Sequence, residues 1–149
     1  MRILLVLHVL GAVLFIGNII TAAFWKLRAE REGNPQVIAS AAKQVMSADY
    51  WFTIPGIVLL LSTGHVLMVH SGYSLLSFSW ISLAYGMFIL TGMLWMVVLV
   101  PAQRAMIRHS KKGLLTAEYR WASHTWNLWG TIATVLPLVT LYLMVVKPF

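Results

Sequence analysis

Four apolar stretches, residues 3–24, 52–69, 80–100 and 126–146, run through this chain. Each approaches or exceeds the roughly 20 residues that a helix needs to cross a hydrocarbon core. Backbone amides inside lipid must find partners within their own segment, so each stretch is expected to be helical. The expected fold is therefore all-α, an integral membrane four-helix bundle forming one domain over residues 1–149. Composition agrees. The chain is 60% hydrophobic and 10% charged, against roughly 25% charged in soluble globules. That excludes both a soluble domain and a disordered chain.

The basic residues sort between the connections. Lys26, Arg28, Arg31 and Lys43 lie between the first and second stretches. Arg104, Arg108, Lys111, Lys112 and Arg120 lie between the third and fourth, and residues 70–79 hold none. The positive-inside rule then places both basic connections in the cytoplasm and both termini on the outer side. The expected location is the bacterial inner membrane, crossed four times. The net charge of +7 is accounted for by this topology and calls for no nucleic acid. Trp25, Trp51, Trp121 and Trp126 fall at cytoplasmic span ends and Trp80 at an outer end, as interfacial belts require. Trp95 and Trp129 lie deeper and are expected between helices. The first apolar run exceeds the roughly 7–15 residues of a signal-peptide core and is read as a mature helix.

Asn34-Pro35 reads as an N-cap followed by proline at the first helical position. Ile38, Ala41, Val45 and Ala48 then recur at helical spacing, with Gln36, Ser40, Lys43, Gln44 and Ser47 on the other side. This short amphipathic helix either lies at the cytoplasmic interface or runs straight into the second span. Pro55 and Pro137 are expected to kink their helices. The short, uncharged outer connection makes the second and third spans antiparallel neighbours.

Chemistry has few carriers. There are no cysteines, which removes disulfides, thiolate metal sites and iron–sulfur clusters. The four carboxylates, Glu30, Glu32, Asp49 and Glu118, all lie outside the apolar runs, so none is expected to act within the membrane. In the first span, His8, Gly11, Phe15, Asn18 and Ala22 form one stripe. A polar or ionisable side chain there marks a functional site by default. His8 lies about 7–8 Å inside the outer boundary at the helical rise. Gly11 would let a neighbouring helix or a flat cofactor approach closely. His65 in the second span lies at nearly the depth of His8, as two axial haem ligands on antiparallel helices would. Yet Thr53, Gly56, Leu60 and Thr63 form the small, polar stripe of that helix, and His65 falls opposite. His70 falls on the stripe but at the membrane surface, as a substitute ligand. His8 either ligates haem or hydrogen-bonds a neighbouring helix. His109 and His124 read as solvated and interfacial. The eight methionines read as packing. Ser82/Gly86 and Gly130/Thr134 have the spacing of helix-packing faces, within one copy or between two. Phosphate loops, nucleophile elbows and dinucleotide fingerprints are missing from the sequence.

The segments LHVLGAVLFIGNIITAAFWKLRAER, ADYWFTIPGIVLL, VPAQRAM and the terminal LMVVKPF resemble an uncharacterised bacterial family of predicted four-helix integral membrane proteins. The resemblance runs along the whole chain and implies that architecture. A more distant likeness links His8 and Gly17, Pro55 and Gly56, Tyr119-Arg120 and Lys147-Pro148-Phe149 to the small haem-binding membrane protoporphyrinogen oxidases. It implies His8 as a haem ligand. The third span here lacks the histidine and lysine of that pattern, and no acidic residue follows Tyr119-Arg120.

The leading expectation is thus a haem b protein, with His8 and His65 on the iron and Gly11 and Asn18 shaping the cavity. It would pass electrons between quinol and an outer-face redox partner. The alternatives are an accessory subunit of a larger membrane complex and a small homo-oligomeric transporter or channel. In all three the chain's principal contact is the lipid bilayer.

Overall fold

The computed structural model describes residues 1–110 and 115–148, and among them the regular elements are all helices, with no strand. Lys111 and Lys112 of the second basic connection, and Phe149, lie outside the described residues. Four helices are long and apolar enough to cross a membrane: Arg2–Glu32, Pro35–His70, Trp80–Ser110 and Ala117–Val146. Each is longer than its apolar run, because the flanking polar segments continue the helix instead of forming loops.

Helix α1 spans Arg2–Glu32. It ends at Gly33, whose φ of 73° is the left-handed conformation glycine adopts without steric cost, and the Gly33 N–H bonds the Glu30 carbonyl. Helix α2, Pro35–Ala48, starts with the Asn34 side chain accepting from the Gln36 N–H at 2.9 Å. It passes through a π turn, Asp49–Thr53, into α3, Ile54–His70. Of the two courses open to the short helix, it therefore runs straight into the second span. The irregularity expected at Pro55 takes the form of this π turn, in which the Ile54 N–H bonds the Asp49 carbonyl five residues back. The third span repeats the device. Helix α4, Trp80–Leu94, leads through a π turn, Trp95–Leu99, into α5, Val100–Ser110, with Pro101 at its second position. Ser79 and Ser82 cap α4 reciprocally. Helix α6 is Ala117–Val146 and continues past Pro137.

Helix α1 packs along α3 and α2, α6 packs along α4 and α5, and α2 meets α5. The main buried cluster, including Ile38, Val45, Leu99, Ala102, Met106 and Ala122, lies at the end carrying the basic connections. A smaller one, Met68, Trp80 and Ile81, closes the other end. Outward positions are apolar (Ile3, Val13, Val58, Val97 and Val145 among them). In water that pattern would be untenable; in a bilayer it is the expected contact with lipid.

Two tryptophans of the belt reading, Trp80 and Trp126, sit inward, and Trp129, expected between helices, faces outward. Trp25, Trp51 and Trp121 are exposed, whereas Trp126 and Trp80 are buried and Trp129 is exposed. Trp126 turns inward because it continues the buried stripe of α6 through Tyr119, Ala122 and Ala133. Trp80 packs edge-on against Tyr73, and the Lys147 ammonium lies 5.7 Å from its ring centroid.

Candidate polar site within the bundle

The buried residues of α1 are Gly11, Phe15, Asn18, Ala22, Lys26 and Ala29. Those of the next helix continue as Ile38, Ala42, Val45, Asp49, Thr53 and Gly56. Both series step by three or four residues, so each is one face of one continuous helix. Extending these faces past the apolar runs carries Lys26 and Asp49 into the protein. Lys26 is only 3% exposed and Asp49 only 7%. Both residues lie outside the apolar runs, as the sequence shows, but the helices continue past those runs and bury them.

Four side chains converge on the Asp49 carboxylate. Oδ1 accepts from Asn18 Nδ2 at 3.0 Å and from Thr53 Oγ1 at 2.8 Å. Oδ2 accepts from Gln103 Nε2 at 3.0 Å and from Trp95 Nε1 at 3.4 Å. Asn18 also donates to Thr53 Oγ1 at 2.9 Å. A carboxylate has about four lone-pair sites, and all four are met by donors. The network draws on α1, both π turns and α5, so it fixes the relative positions of the first three spans. A π turn widens the helix locally and re-aims its side chains, and here the two π turns supply Asp49, Thr53 and Trp95.

A second cluster joins α1 to α6. Lys26 Nζ donates to Ser123 Oγ and Asn127 Oδ1, each at 2.6 Å, and lies 2.9 Å from Glu30 Oε1. Glu30 Oε1 also accepts from Tyr119 Oη at 2.8 Å and from Ser123 Oγ at 2.5 Å. The ammonium lies 5.2 Å from the Trp126 ring centroid. A lysine this buried requires such pairing, since desolvating an uncompensated charge costs several kcal/mol, on the order of 3–5 when one partner of a buried pair is lost.

Between the two clusters lies a cavity of about 420 Å3. Phe15, Ile19 and Leu27 of α1 and Gly130, Thr131 and Val135 of α6 form its sides, with Asp49, Thr53 and Gln103 deeper in. Leu27, Thr131 and Val135 are exposed, so the cavity opens between α1 and α6 on the bundle surface. Most of the lining is apolar, with a few polar groups, as ligand cavities usually are.

His8 is elsewhere. Its Nδ1 is 3.0 Å from Thr63 Oγ1, and a Cβ on Gly64 would meet its Cε1 at 2.9 Å. The ring therefore packs directly on α3. A Cβ on Gly11 would meet Leu59 Cβ at 3.0 Å and the Gly56 carbonyl at 3.1 Å, so the glycine admits a neighbouring helix. His65 lies two residues beyond Thr63, about 200° around the helix, and is exposed, as is His70. Of the expected site residues the structure thus brings Gly11 and His8 against α3 and Asn18 onto Asp49. It does not bring His65 or His70 to His8. The residues present do not fit a flat haem held by two histidines between α1 and α3. Among the described residues no three His, Asp or Glu side chains gather as metal ligands.

A family model described as a predicted integral membrane protein (DUF2269) matches residues 2–148. The chain belongs to the DUF2269 family. Comparison with curated proteins and with solved structures finds no match, so the likeness to haem-binding oxidases has no counterpart there. The DUF2269 chain is thus an integral membrane protein with four candidate spans, and its functional reading rests on the polar site. Lys26, Glu30, Asp49, Gln103 and Trp126 escaped sequence reading because they fall outside, or at the edge of, the apolar runs. The signal that finds them is the continuation of each buried stripe at three- and four-residue steps.

Proposed function

We propose that this protein binds a lipid-soluble small molecule inside the bundle. The molecule enters sideways from the bilayer between α1 and α6, and its polar head reaches the Asp49 side of the cavity. One observation carries this reading: a cavity of about 420 Å3, open between two helices and mostly apolar, ends at a buried carboxylate. Intramembrane ionisable residues are costly and are found where they serve a function. Quinols and other apolar-tailed compounds with a small oxygen-bearing head have the right chemistry. Transport by a homo-oligomer becomes tenable as a second reading, because Asp49 and Lys26 supply the buried ionisable groups that the apolar runs lack.

The proposed setting is the bacterial inner membrane, with the basic connections in the cytoplasm and the termini outside, supported by the distribution of lysine and arginine. Reporter fusions at each terminus test that topology.

The binding reading is tested by extracting the detergent-purified protein with organic solvent and identifying bound compounds by mass spectrometry. Gly130→Leu is the control. A Cβ at Gly130 has ordinary room, with its nearest neighbour at 3.7 Å, and the added side chain would occupy the cavity. A compound recovered from the unmodified protein and depleted from Gly130→Leu is the expected result. Equal recovery from both would overturn the reading.

A further inference from the structure

A second cavity, of about 560 Å3, lies between α1 and α2 at the end of the bundle that carries the basic connections. It shares only the buried residues Ala22 and Val45 with the cavity between α1 and α6. Its lining differs in kind. Trp25, Arg28 and Glu32 come from α1 and Ser40 and Gln44 from α2, and all five are exposed, so the cavity is a groove open on the bundle surface. Trp25 follows the last residue of the first apolar run, which sets the groove at the membrane–water interface. Arg28 lies about 6 Å beyond that run at the helical rise, within a headgroup layer roughly 5–8 Å deep. Glu32 lies about 6 Å further out.

Arg28 and Glu32 are four residues apart, the spacing at which Lys26 and Glu30 pair at 2.9 Å. Yet neither side chain makes an ion pair or hydrogen bond, with the other or with any other residue. A cation ahead of a carboxylate is the weaker order for such a pair, so a ligand has no strong internal bond to break there. The Gly33-Asn34 turn joins α1 and α2 as packed neighbours. Counted from that turn, Ser40 is level with Arg28 to within about one residue's rise, ~1.5 Å. Gln44 Nε2 donates to Ser40 Oγ at 3.1 Å, and the Ser40 O–H remains free to donate. Outward along the membrane normal the groove therefore presents an aromatic ring, then a guanidinium beside a hydroxyl, then a carboxylate.

We propose that this groove binds a phospholipid with an ethanolamine headgroup. Such a lipid runs from acyl tail through glycerol and phosphate to a primary ammonium, in the same outward order. Its phosphate accepts from the Arg28 guanidinium, whose planar fork suits phosphate oxygens, and from the Ser40 O–H. Its ammonium, two carbons beyond the phosphate, donates to the Glu32 carboxylate. The upper part of the tail lies against Trp25 and Phe52, both exposed at the groove. A glycerol headgroup has a net negative charge and no ammonium, so Glu32 repels it. A choline headgroup has no N–H to donate. Basic residues near a membrane attract anionic lipid without selectivity, and the carboxylate in the groove reverses that preference. The groove is independent of the α1–α6 cavity, so failure of either reading leaves the other standing.

The test titrates the whole detergent-purified chain with one lipid at a time, bearing an ethanolamine, glycerol or choline headgroup on the same acyl chains. Native mass spectrometry reads the 1:1 adduct. The ethanolamine lipid is expected to bind about two- to fivefold tighter than the other two, the range that exposed ion pairs support. Glu32→Gln should remove its advantage over the glycerol headgroup. Arg28→Gln should weaken all three lipids by a similar factor, because all carry the phosphate. Lys43→Gln, exposed on α2 but outside the groove lining, should change no ratio. Equal binding of the three lipids, or tighter binding of the glycerol headgroup, overturns the proposal. So does an ethanolamine preference that persists in Glu32→Gln, or binding unchanged in Arg28→Gln. Soluble glycerophosphoethanolamine should not displace the lipid at equal concentration. If it does, the groove recognises a water-soluble phosphate ester and the lipid assignment falls.

Discussion

Asn18 and Asp49, 31 positions apart, meet at 3.0 Å in the interior, where the first span crosses the π turn that leads into the second. The amide supplies one of the four hydrogen bonds that satisfy the carboxylate in the interior. Asn18 and Asp49 therefore depend on each other. Replacing Asp49 with Ala takes the carboxylate acceptor from Thr53, Gln103 and Trp95 and leaves Asn18 with Thr53 alone. The expected loss is about 1–3 kcal/mol, read as a lower midpoint of thermal unfolding in detergent. An Asn18→Ala, Asp49→Ala double variant should lose less than the sum of the two single losses. Strict additivity would show that the pair is uncoupled.

Gly56 and Gly17 offer a matched comparison. A Cβ at Gly56 would come within 3.0 Å of the backbone nitrogen of Phe15 and 3.1 Å of the Gly11 carbonyl, whereas one at Gly17 meets nothing within 4 Å. Backbone cannot yield as a flexible side chain does. Gly56→Ala is expected to destabilise the α1–α3 contact by about 1–3 kcal/mol, as overpacking does. Gly17→Ala should be neutral or slightly stabilising, because alanine is the better helix former. Equal behaviour of the two in the same detergent melt would contradict the close α1–α3 approach.

The Lys26–Glu30 pair makes a prediction by cycle. Lys26 is buried, but the Glu30 side chain is 22% exposed, so solvent screens part of the attraction. Lys26→Met and Glu30→Gln should each destabilise the protein. Their combination should be less harmful than the sum, with a coupling of about 0.5–3 kcal/mol. Because Ser123 touches both members of the pair, Ser123→Ala should weaken the coupling measured in the same cycle.

The histidines are separable by spectroscopy and stability. His8 is packed on Gly64 and bonded to Thr63, so His8→Ala should cost about 0.5–1.5 kcal/mol for the lost bond plus packing. His65 is exposed, and His65→Ala should change the melt little. The visible spectrum of protein purified from haem-replete cells is the accompanying measurement. A Soret band abolished by His8→Ala would show that His8 serves haem and not only helix packing.

Much of the architecture was legible without tertiary information, because it depends on properties of each segment alone. Four apolar runs require four helices, since lipid offers backbone groups no partners. Asn34-Pro35 sets a helix start through a local side-chain bond. The stripe from Gly11 to Ala22 was visible as periodicity, and its buried face appears as read. Other features depended on which helices become neighbours. Hydropathy ends the first span before Lys26 and begins the second after Asp49, yet both residues are interior, because facing helices supply Ser123, Asn127, Gln103 and Trp95 as partners. Depth along the sequence matched His65 to His8, but rotation about the helix axis separates them, and the stripe of Thr53, Gly56 and Thr63 opposite His65 is the face that is buried. The cavity likewise exists only between helices. The sequence by itself determined the spans and their buried faces, through transfer free energy and helical period. The tertiary structure decided which polar groups meet, because a buried charge is tolerable only where distant parts of the chain provide its hydrogen bonds.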